Sequence, residues 1–345
     1  MTYTPRVKTE LSPQAICSKM KQPLRPQGHY IRLSSAVGGQ PFAQEEPMQP
    51  IIDTHQHLWD LDVFRLPWLG GAPALAQSYR TSDYLAATAG LGVVKAIYME
   101  VDVAPEQQRT EADALIALCA QEDTPTVAAV ISGRPASPDF AAYIRHYAAY
   151  PAIVGVRQVL HVPDAPRGLC LTPQYVENVR LLGDLGLSFD ICMRPGELSD
   201  AVKLAARCPD TRFVVDHCGN GDPYIIAGEA PPPTDNPAPH TRAQWMADMA
   251  ALADLPNTIC KISGIIASTR PGWSAADLAP AINHCLDTFG FDRVVFGGDW
   301  PVCNLGAGSS YGVWVETLKS IVAKRSSREQ AALFHDNAVG FYGLD

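Results

Sequence analysis

Eight short apolar runs divide most of this chain at regular intervals. They are rich in Val and Ile and cover residues 50–55, 93–101, 126–132, 153–160, 187–193, 212–217, 258–264 and 293–298. Segments with a helical pattern lie between them, for example residues 139–149, 173–185 and 275–289. Strands that alternate with helices indicate parallel pairing, because a parallel connection needs a long crossover. Eight such units are the number that closes a (β/α)8 TIM barrel, and we predict this α/β fold.

The main alternative is a doubly wound open sheet, but the chain has no Gly-x-Gly-x-x-Gly or Walker-type loop. Residues 1–48 are rich in Pro, Ser, Gln and Gly and lack periodicity, so we expect a flexible or surface-wrapped extension before a barrel at 49–345. Residues 219–240 form a Pro- and Gly-rich segment after the sixth strand. We expect a long loop there that acts as a lid or subunit contact, with passive surface as the alternative.

Composition limits the kinds of molecule that this protein is expected to bind. The 345 residues carry a formal net charge of -9, which argues against nucleic acid or an anionic membrane as the main target. The nine cysteines are scattered without a C-x-x-C pair, which is typical of reduced, buried thiols. We therefore expect a cytoplasmic enzyme with a small-molecule substrate, and the sequence leaves a homodimer open.

Polar residues follow the predicted strands, at the end where TIM barrels carry their active sites. His55 and His57 stand two positions apart on the first strand, so both imidazoles face the same side. They could hold a metal ion, crowd a substrate, or simply lie at a solvent-facing strand end. The other candidates from distant strands are Glu100, Arg157, His161, His217, Lys261, Asp299, Trp300 and Asn304.

Asp299 follows the eighth strand in Gly297-Gly298-Asp299-Trp300-Pro301. An acidic residue there suits a general base or metal ligand, and the alternative is an Asp that caps a turn. Arg157 and Lys261 could anchor a carboxylate or polarise a carbonyl, or they could form structural ion pairs inside the barrel. His217 could likewise be a core histidine.

Several motifs resemble the amidohydrolase superfamily, in particular its amidohydrolase-2 branch of fuconolactonase-like and rhamnonolactonase-like hydrolases. The opening Asp53-Thr54-His55-Gln56-His57 is similar to the start of that branch, and residues 216–219 resemble its Asp-His-x-Gly. Residues 260–264 resemble its Cys-Lys-x-Ser-Gly, and residues 297–303 are close to its most distinctive signature. The resemblance covers roughly residues 50–345.

The resemblance implies a distorted barrel and hydrolysis with or without a metal. It implies that His55 and His57 ligate metal or polarise substrate, that Asp299 activates water, and that His217 is a ligand or steadies an oxyanion. Arg157 and Lys261 would bind substrate, and we add His161, Trp300 and Asn304 as substrate-binding candidates. The mixed nitrogen and oxygen ligands would favour one divalent ion, zinc first, with Asp299 and Glu100 among the ligands.

Two departures narrow this picture. The fourth strand offers Arg157-Gln158 with no lysine for a carbamylated bridge, and the fifth strand has no histidine, so a binuclear site is not expected. The sequence thus predicts a lactonase that opens a small polar lactone from sugar-acid or aromatic catabolism, with Asp299 as the general base. The alternatives are a non-oxidative decarboxylase of the same branch and a catalytically idle binding barrel.

Overall fold

Eight parallel strands form one sheet in chain order in the computed structural model, which describes residues 48–162, 165–229 and 239–344. The strands are β1 (Ile51–Gln56), β2 (Val93–Met99), β3 (Thr126–Ser132), β4 (Ile153–Leu160), β5 (Ser188–Met193), β6 (Arg212–Val215), β7 (Thr258–Ile262) and β8 (Val294–Phe296). A parallel bridge joins Gln56 to Trp300, and the backbone N–H of His57 donates to the carbonyl of Trp300 at 2.8 Å. These contacts link the carboxyl ends of β1 and β8. The sheet is therefore a nearly closed, distorted (β/α)8 barrel, and the predicted fold is confirmed.

Helices cover the outside of the sheet. They are α1 (Thr81–Thr88), α2 (Gln108–Cys119), α3 (Phe140–Tyr147), α4 (Pro173–Asp184), α5 (Leu198–Arg207), α6 (Pro223–Ala227), α7 (Arg242–Ala253), α8 (Ala275–Phe289), α9 (Tyr311–Val322), α10 (Ser327–Ala331) and α11 (Asn337–Tyr342). A π-helical turn, Ala332–Asp336, joins the last two. Local signals set several starts: Ser274 and Asp277 form a capping box at α8, and Thr241 caps α7.

Buried apolar side chains form two clusters, one on each face of the sheet. The larger one lies between strands and helices and includes Phe189, Phe213 and Trp314. The smaller one fills the barrel interior with residues such as Ile52 and Val295, and α11 adds Tyr342 to it. Because strand side chains alternate between faces, each strand contributes to both clusters. The amino-terminal end of the barrel is thus plugged, which leaves the carboxyl end for a site.

Several expectations are changed or fall outside the described residues. Residues 219–240 are not all loop: α6 forms inside them, capped by Asp222, whose carboxylate accepts the N–H of Tyr224. The predicted extension lies outside the described residues except for Met48, and so do residues 230–238 of the predicted loop. The cysteines of the described ranges are all free thiols, and all but Cys119 are buried. Within those ranges, no helix is both long enough and apolar enough to cross a bilayer.

Candidate active site

The buried carboxylate of Asp53 ties the first and last strands together beneath the site. Its Oδ1 accepts the backbone N–H of His55 at 2.9 Å and that of Gly298 at 2.7 Å. Its Oδ2 accepts the hydroxyls of Tyr84 at 2.8 Å and Tyr311 at 3.1 Å. Burial raises the pKa of Asp53, although these four hydrogen bonds act in the opposite direction. A Cβ at Gly298 would lie 2.2 Å from the Tyr311 ring, so only glycine permits this approach.

Asp299 and the two histidines of β1 converge above this anchor. The Oδ1 atom of Asp299 lies 3.3 Å from Nε2 of His57 and 3.6 Å from Nε2 of His55. The Asp299 backbone has a positive φ of 53°, and its N–H donates to the carbonyl of His55 at 2.8 Å. A positive φ is costly for a residue with a side chain, so the surroundings must hold Asp299 in place. The result is an almost completely buried cluster of two imidazoles and one carboxylate.

The hydrogen bonds of His57 bear on what this cluster can hold. Its Nδ1 lies 2.9 Å from the carbonyl oxygen of Met99, which can only accept, so Nδ1 carries a proton. A neutral His57 then presents the lone pair of Nε2 to the carboxylate of Asp299 at 3.3 Å. Two acceptors at that distance need a proton or a cation between them.

A divalent ion satisfies this requirement. Ligand atoms around a tetrahedral zinc with bonds of about 2.0–2.1 Å lie roughly 3.3 Å apart. The distances from Asp299 Oδ1 to Nε2 of His57 and of His55, 3.3 and 3.6 Å, are close to that value, and the three residues form a group whose ligand atoms lie within 4.8 Å of one another. The residues therefore fit one metal ion. The Nη1 atom of Arg157 also lies 3.2 Å from Nε2 of His55, so a guanidinium already brings positive charge to this side.

His217 approaches the cluster from β6. The segment His217–Asn220 has left-handed backbone angles throughout, with φ of 53° at His217. This turn sets the His217 ring 4.4 Å from the His55 ring, and its Nδ1 lies 2.9 Å from the hydroxyl of Ser263. Gly264, with φ of 67°, leaves room for it, because a Cβ there would lie 2.3 Å from Nδ1 of His217. His55, Asp216 and His217 form a second group with ligand atoms close enough for a metal.

A layer of buried charges supports the histidines from below. Arg157 donates from Nε to Glu100 at 2.7 Å, and its Nη1 contacts Asp216 at 3.4 Å. Lys261 lies 2.7 Å from Asp190 and 2.9 Å from Asp216. Lys261, Glu100, Asp190 and Asp216 have no exposed surface, and Arg157 is 5% exposed. These five side chains pair with one another, as buried charges must.

Burial and the neighbouring charges together shift the pKa values of the carboxyl groups in this layer and of the two adjacent imidazoles. Burial acts to raise the pKa of Asp216, but Lys261 and His55 hold it well below its usual range. Burial raises the pKa of Asp190 to about 7, against the lowering effect of Lys261. Burial lowers the pKa of His55 far below its ordinary value, and it also lowers the pKa of His217. Both imidazoles are therefore neutral at pH 7, the form that binds metals or donates a hydrogen bond without net charge.

A cavity of approximately 290 Å³ opens onto this cluster at the carboxyl end of the barrel. His57, His217 and Asp299 lie in its wall, together with Arg157 and His161. Most of the remaining lining is apolar, with Trp68, Val101, Val159, Val162, Ile265 and Val302 among it. The site is thus a compact pocket whose polar groups are concentrated at its floor.

The structure does not bring all of the predicted site residues to the cavity. Lys261 is completely buried in the charged layer, and Glu100 is occupied by Arg157 and by the backbone N–H of Asp102 at 2.8 Å. Trp300 packs edge-on against Tyr79 with ring centroids 5.3 Å apart and does not line the cavity. Asn304 is exposed and also lies outside the lining.

Sequence reasoning missed three supporting residues. Asp53 was seen only as part of a motif, although it positions His55 and Gly298. The pairing of Asp190 and Asp216 with Lys261 was not predicted. A signal for it was available, because Asp190 lies on β5, Asp216 directly follows β6 and Lys261 lies on β7, and buried cations need buried anions.

Sequence comparison relates this chain to known proteins. The sequence profile of the amidohydrolase family matches residues 52–344. The chain belongs to this family. It is 29% identical over 301 residues to an L-fucono-1,5-lactonase of Burkholderia multivorans, an alignment that covers 85% of this chain and 96% of the relative. The family and the lactonase relative therefore support an enzyme with a hydrolase-type barrel.

Solved structures extend the likeness. An amidohydrolase from Burkholderia multivorans with bound zinc is 27% identical, with a TM-score of 0.72 over 86% of this chain and 100% of that one. A 2,6-dihydroxybenzoate decarboxylase from Rhizobium is 16% identical, with a TM-score of 0.57 over 86% of this chain and 100% of that one. The second likeness concerns the fold alone. Proteins with this fold thus carry different chemistries in their names, and the local site has to indicate the reaction.

Proposed function

We propose that this protein is a lactonase, which adds water to the carbonyl carbon of a cyclic ester and opens the ring. The observation that carries the proposal is the convergence of Asp299 with three imidazoles at the floor of a small cavity. The L-fucono-1,5-lactonase relative supports the same reaction type. The site gives no support to the decarboxylase alternative, because the guanidinium of Arg157, a cation in the described lining, is already paired with carboxylates.

Asp299 acts as the general base in this proposal. Its carboxylate takes a proton from water as the water oxygen bonds to the carbonyl carbon, and a general base of this kind contributes about 10²–10⁴-fold to the rate. The carbonyl oxygen becomes an oxyanion as the carbon becomes tetrahedral. The ring C–O bond then breaks, and the leaving oxygen takes the proton that Asp299 had accepted.

His217 stabilises the oxyanion. Ser263 can donate its hydroxyl proton to Nδ1 of His217, which leaves a proton on Nε2 for the substrate oxygen. Burial keeps this imidazole neutral by lowering its pKa. His217 therefore contributes as a hydrogen-bond donor of fixed orientation and not as an imidazolium.

A divalent metal ion, zinc first, is part of the proposal. His55, His57 and Asp299 would hold it, and it would supply Lewis-acid polarisation and a lower pKa for bound water. Elemental analysis of the purified protein, with lactonase assays before and after chelation, tests this point. About one zinc per chain and loss of activity on chelation are expected. Hydrolysis that persists without metal would assign the positive charge beside His55 to the guanidinium of Arg157, which lies 3.2 Å away.

The reaction itself is tested with Asp299→Asn in a pH-indicator assay on a lactone panel that includes L-fucono-1,5-lactone. We expect kcat to fall at least 100-fold while the circular dichroism spectrum is unchanged. Asp336→Asn is the matched control, because that side chain is 65% exposed and contacts the neighbouring His335. Near-normal turnover by Asp299→Asn would refute the mechanism, and no hydrolysis of any lactone by the wild type would refute the function.

A further inference from the structure

The apolar part of the cavity wall comes from all around the rim. Trp68 follows β1, Val101 follows β2, Val159 lies on β4, Ile265 follows β7 and Val302 follows β8. Substrate that projects from the catalytic floor in any of these directions meets carbon atoms. Apolar surface of this kind stabilises apolar substituents by about 0.8 kcal/mol for each methylene that it removes from water.

Several polar groups between these residues already make hydrogen bonds or ion pairs within the protein. The indole N–H of Trp68 donates to the carbonyl of Val101 at 2.8 Å, so the ring offers only its carbon surface. The side-chain amide of Asn220 donates to the carbonyl of Met193 at 3.0 Å. Asp102 is paired with Arg134 at 2.6 Å. Ser268 also lines the cavity, but a substrate hydroxyl buried against the apolar side chains of this wall would lose its hydrogen bonds to water without replacement, which is unfavourable.

The cavity also offers little to a substrate carboxylate. Arg157 directs Nε and Nη2 to Glu100, at 2.7 and 2.8 Å, and Nη1 to Asp216 and His55. His161 loses part of its hydration in the cavity and lies near other cations, and these effects lower its pKa to about 4. Within the described ranges, the lining thus presents no cation that lacks a partner. A charged acid would have to give up its hydration there without gaining an ion pair from a side chain of the lining.

We propose that the substrate is a small, neutral lactone with alkyl or aryl substituents and not a polyhydroxylated or carboxylated one. This inference rests on the proposed lactone hydrolysis and specifies its substrate class. The cavity volume, near 290 Å³, limits the substrate to a small ring with a short substituent, because small-molecule sites span about 300–1,000 Å³. The proposed substrate differs from the polar lactone that the sequence predicts.

The test is a series of δ-valerolactones bearing hydrogen, methyl, propyl or pentyl at the ring carbon next to oxygen, assayed with the full-length enzyme. Dihydrocoumarin, the sugar lactone of the previous test and a carboxylated δ-lactone complete the panel. We expect kcat/KM to rise about fourfold for each added methylene until the cavity is full. We also expect the sugar and carboxylated lactones to be at least 100-fold poorer substrates than the pentyl compound. A sugar lactone that is hydrolysed as well as the alkyl lactones would overturn the inference.

Binding separates failure of this inference from failure of the proposed function. The corresponding alkyl δ-lactams resist hydrolysis and have the same shape, so calorimetry can measure their affinity directly. Tight binding of the pentyl lactam with no lactone turnover would reject the lactonase and retain an apolar pocket. Lactone turnover with equal affinity for alkyl and polyhydroxylated lactams would retain the lactonase and reject the apolar substrate.

Valine-to-threonine variants test the wall itself, because threonine keeps the shape of valine and adds one hydroxyl. In Val159→Thr and Val302→Thr we expect kcat/KM for the pentyl lactone to fall about tenfold relative to the unsubstituted ring. Val94→Thr is the control, since Val94 is 51% exposed at the start of β2, and it should leave both substrates unchanged. An equal effect of a wall variant on both lactones would contradict the assignment, because a general structural defect does not change their ratio.

Discussion

Replacement of Lys261 by methionine tests whether the buried charged layer is structural. Lys261 was a substrate-binding candidate in the sequence, but its ammonium lies 2.7 Å from Asp190 and 2.9 Å from Asp216 with no exposed surface. Methionine has similar length and no charge. The change therefore leaves two carboxylates buried without their common cation, and removal of one partner from a buried ion pair typically costs about 3–5 kcal/mol.

The pKa shifts indicate how the loss of stability depends on pH. A carboxylate that loses its cation can take up a proton, and this costs about 1.4 kcal/mol for each pH unit above its ordinary pKa. Asp190 already has a pKa of about 7, so its protonation adds little at pH 7. Asp216 starts from an ordinary value of 3.8, and its protonation costs about 4 kcal/mol at pH 7 and about 2 kcal/mol at pH 5. The destabilisation should therefore shrink by about half as the pH falls from 7 to 5.

Urea unfolding at both pH values, followed by circular dichroism, measures this effect. Lys203→Met is the matched control, because that side chain is 53% exposed and its ammonium lies 2.8 Å from Asp200; its cost should stay within about 0.5 kcal/mol. Addition of Asp216→Asn to Lys261→Met should recover part of the loss at pH 7, since it removes the stranded carboxylate whose protonation is costly. A Lys261→Met cost below 1 kcal/mol, or one that grows as the pH falls, would refute the structural role.

Two further predictions concern a glycine beside His217 and a buried glutamate. Gly264→Ala and Gly272→Ala both place a Cβ at a positive φ, and Gly272→Ala should cost about 1–2 kcal/mol, because nothing lies within 4 Å of its new Cβ. Gly264→Ala should cost more, because its new Cβ would lie 2.3 Å from Nδ1 of His217 and the ring would have to shift. Lactone assays should show at least a tenfold loss of kcat for Gly264→Ala alone, and equal activities would remove His217 from the mechanism. Burial raises the pKa of Glu111 to about 8 from 4.5, so the unfolded chain ionises before the folded one and this residue lowers stability by about 4 kcal/mol between pH 5 and pH 8. Glu111→Gln should therefore gain stability relative to the wild type over that range in urea titrations, and a difference that does not vary with pH would contradict the shift.

The strand pattern and the motif positions could be predicted because both depend on local sequence. Buried parallel strands must be apolar on both faces, so β1 and β3 to β5 stand out to within a residue. His55 and His57 share a face because strand side chains alternate, whatever surrounds them. The left-handed turn at His217 and the short helix α6 were not predicted, since their backbone angles are held by contacts with distant residues such as Ser263 and His240.

The sequence by itself therefore determined the barrel, its order of strands and the rim on which the polar residues gather. Only the tertiary structure decided which of those residues reach a substrate. Arg157, Lys261 and Glu100 have the same chemistry whether they face a cavity or one another, and the choice depends on the register of strands far apart in the chain. Burial then enforces pairing, because an unpaired charge inside the barrel would cost several kcal/mol. His57, His217 and Asp299 are among the polar side chains that line the cavity.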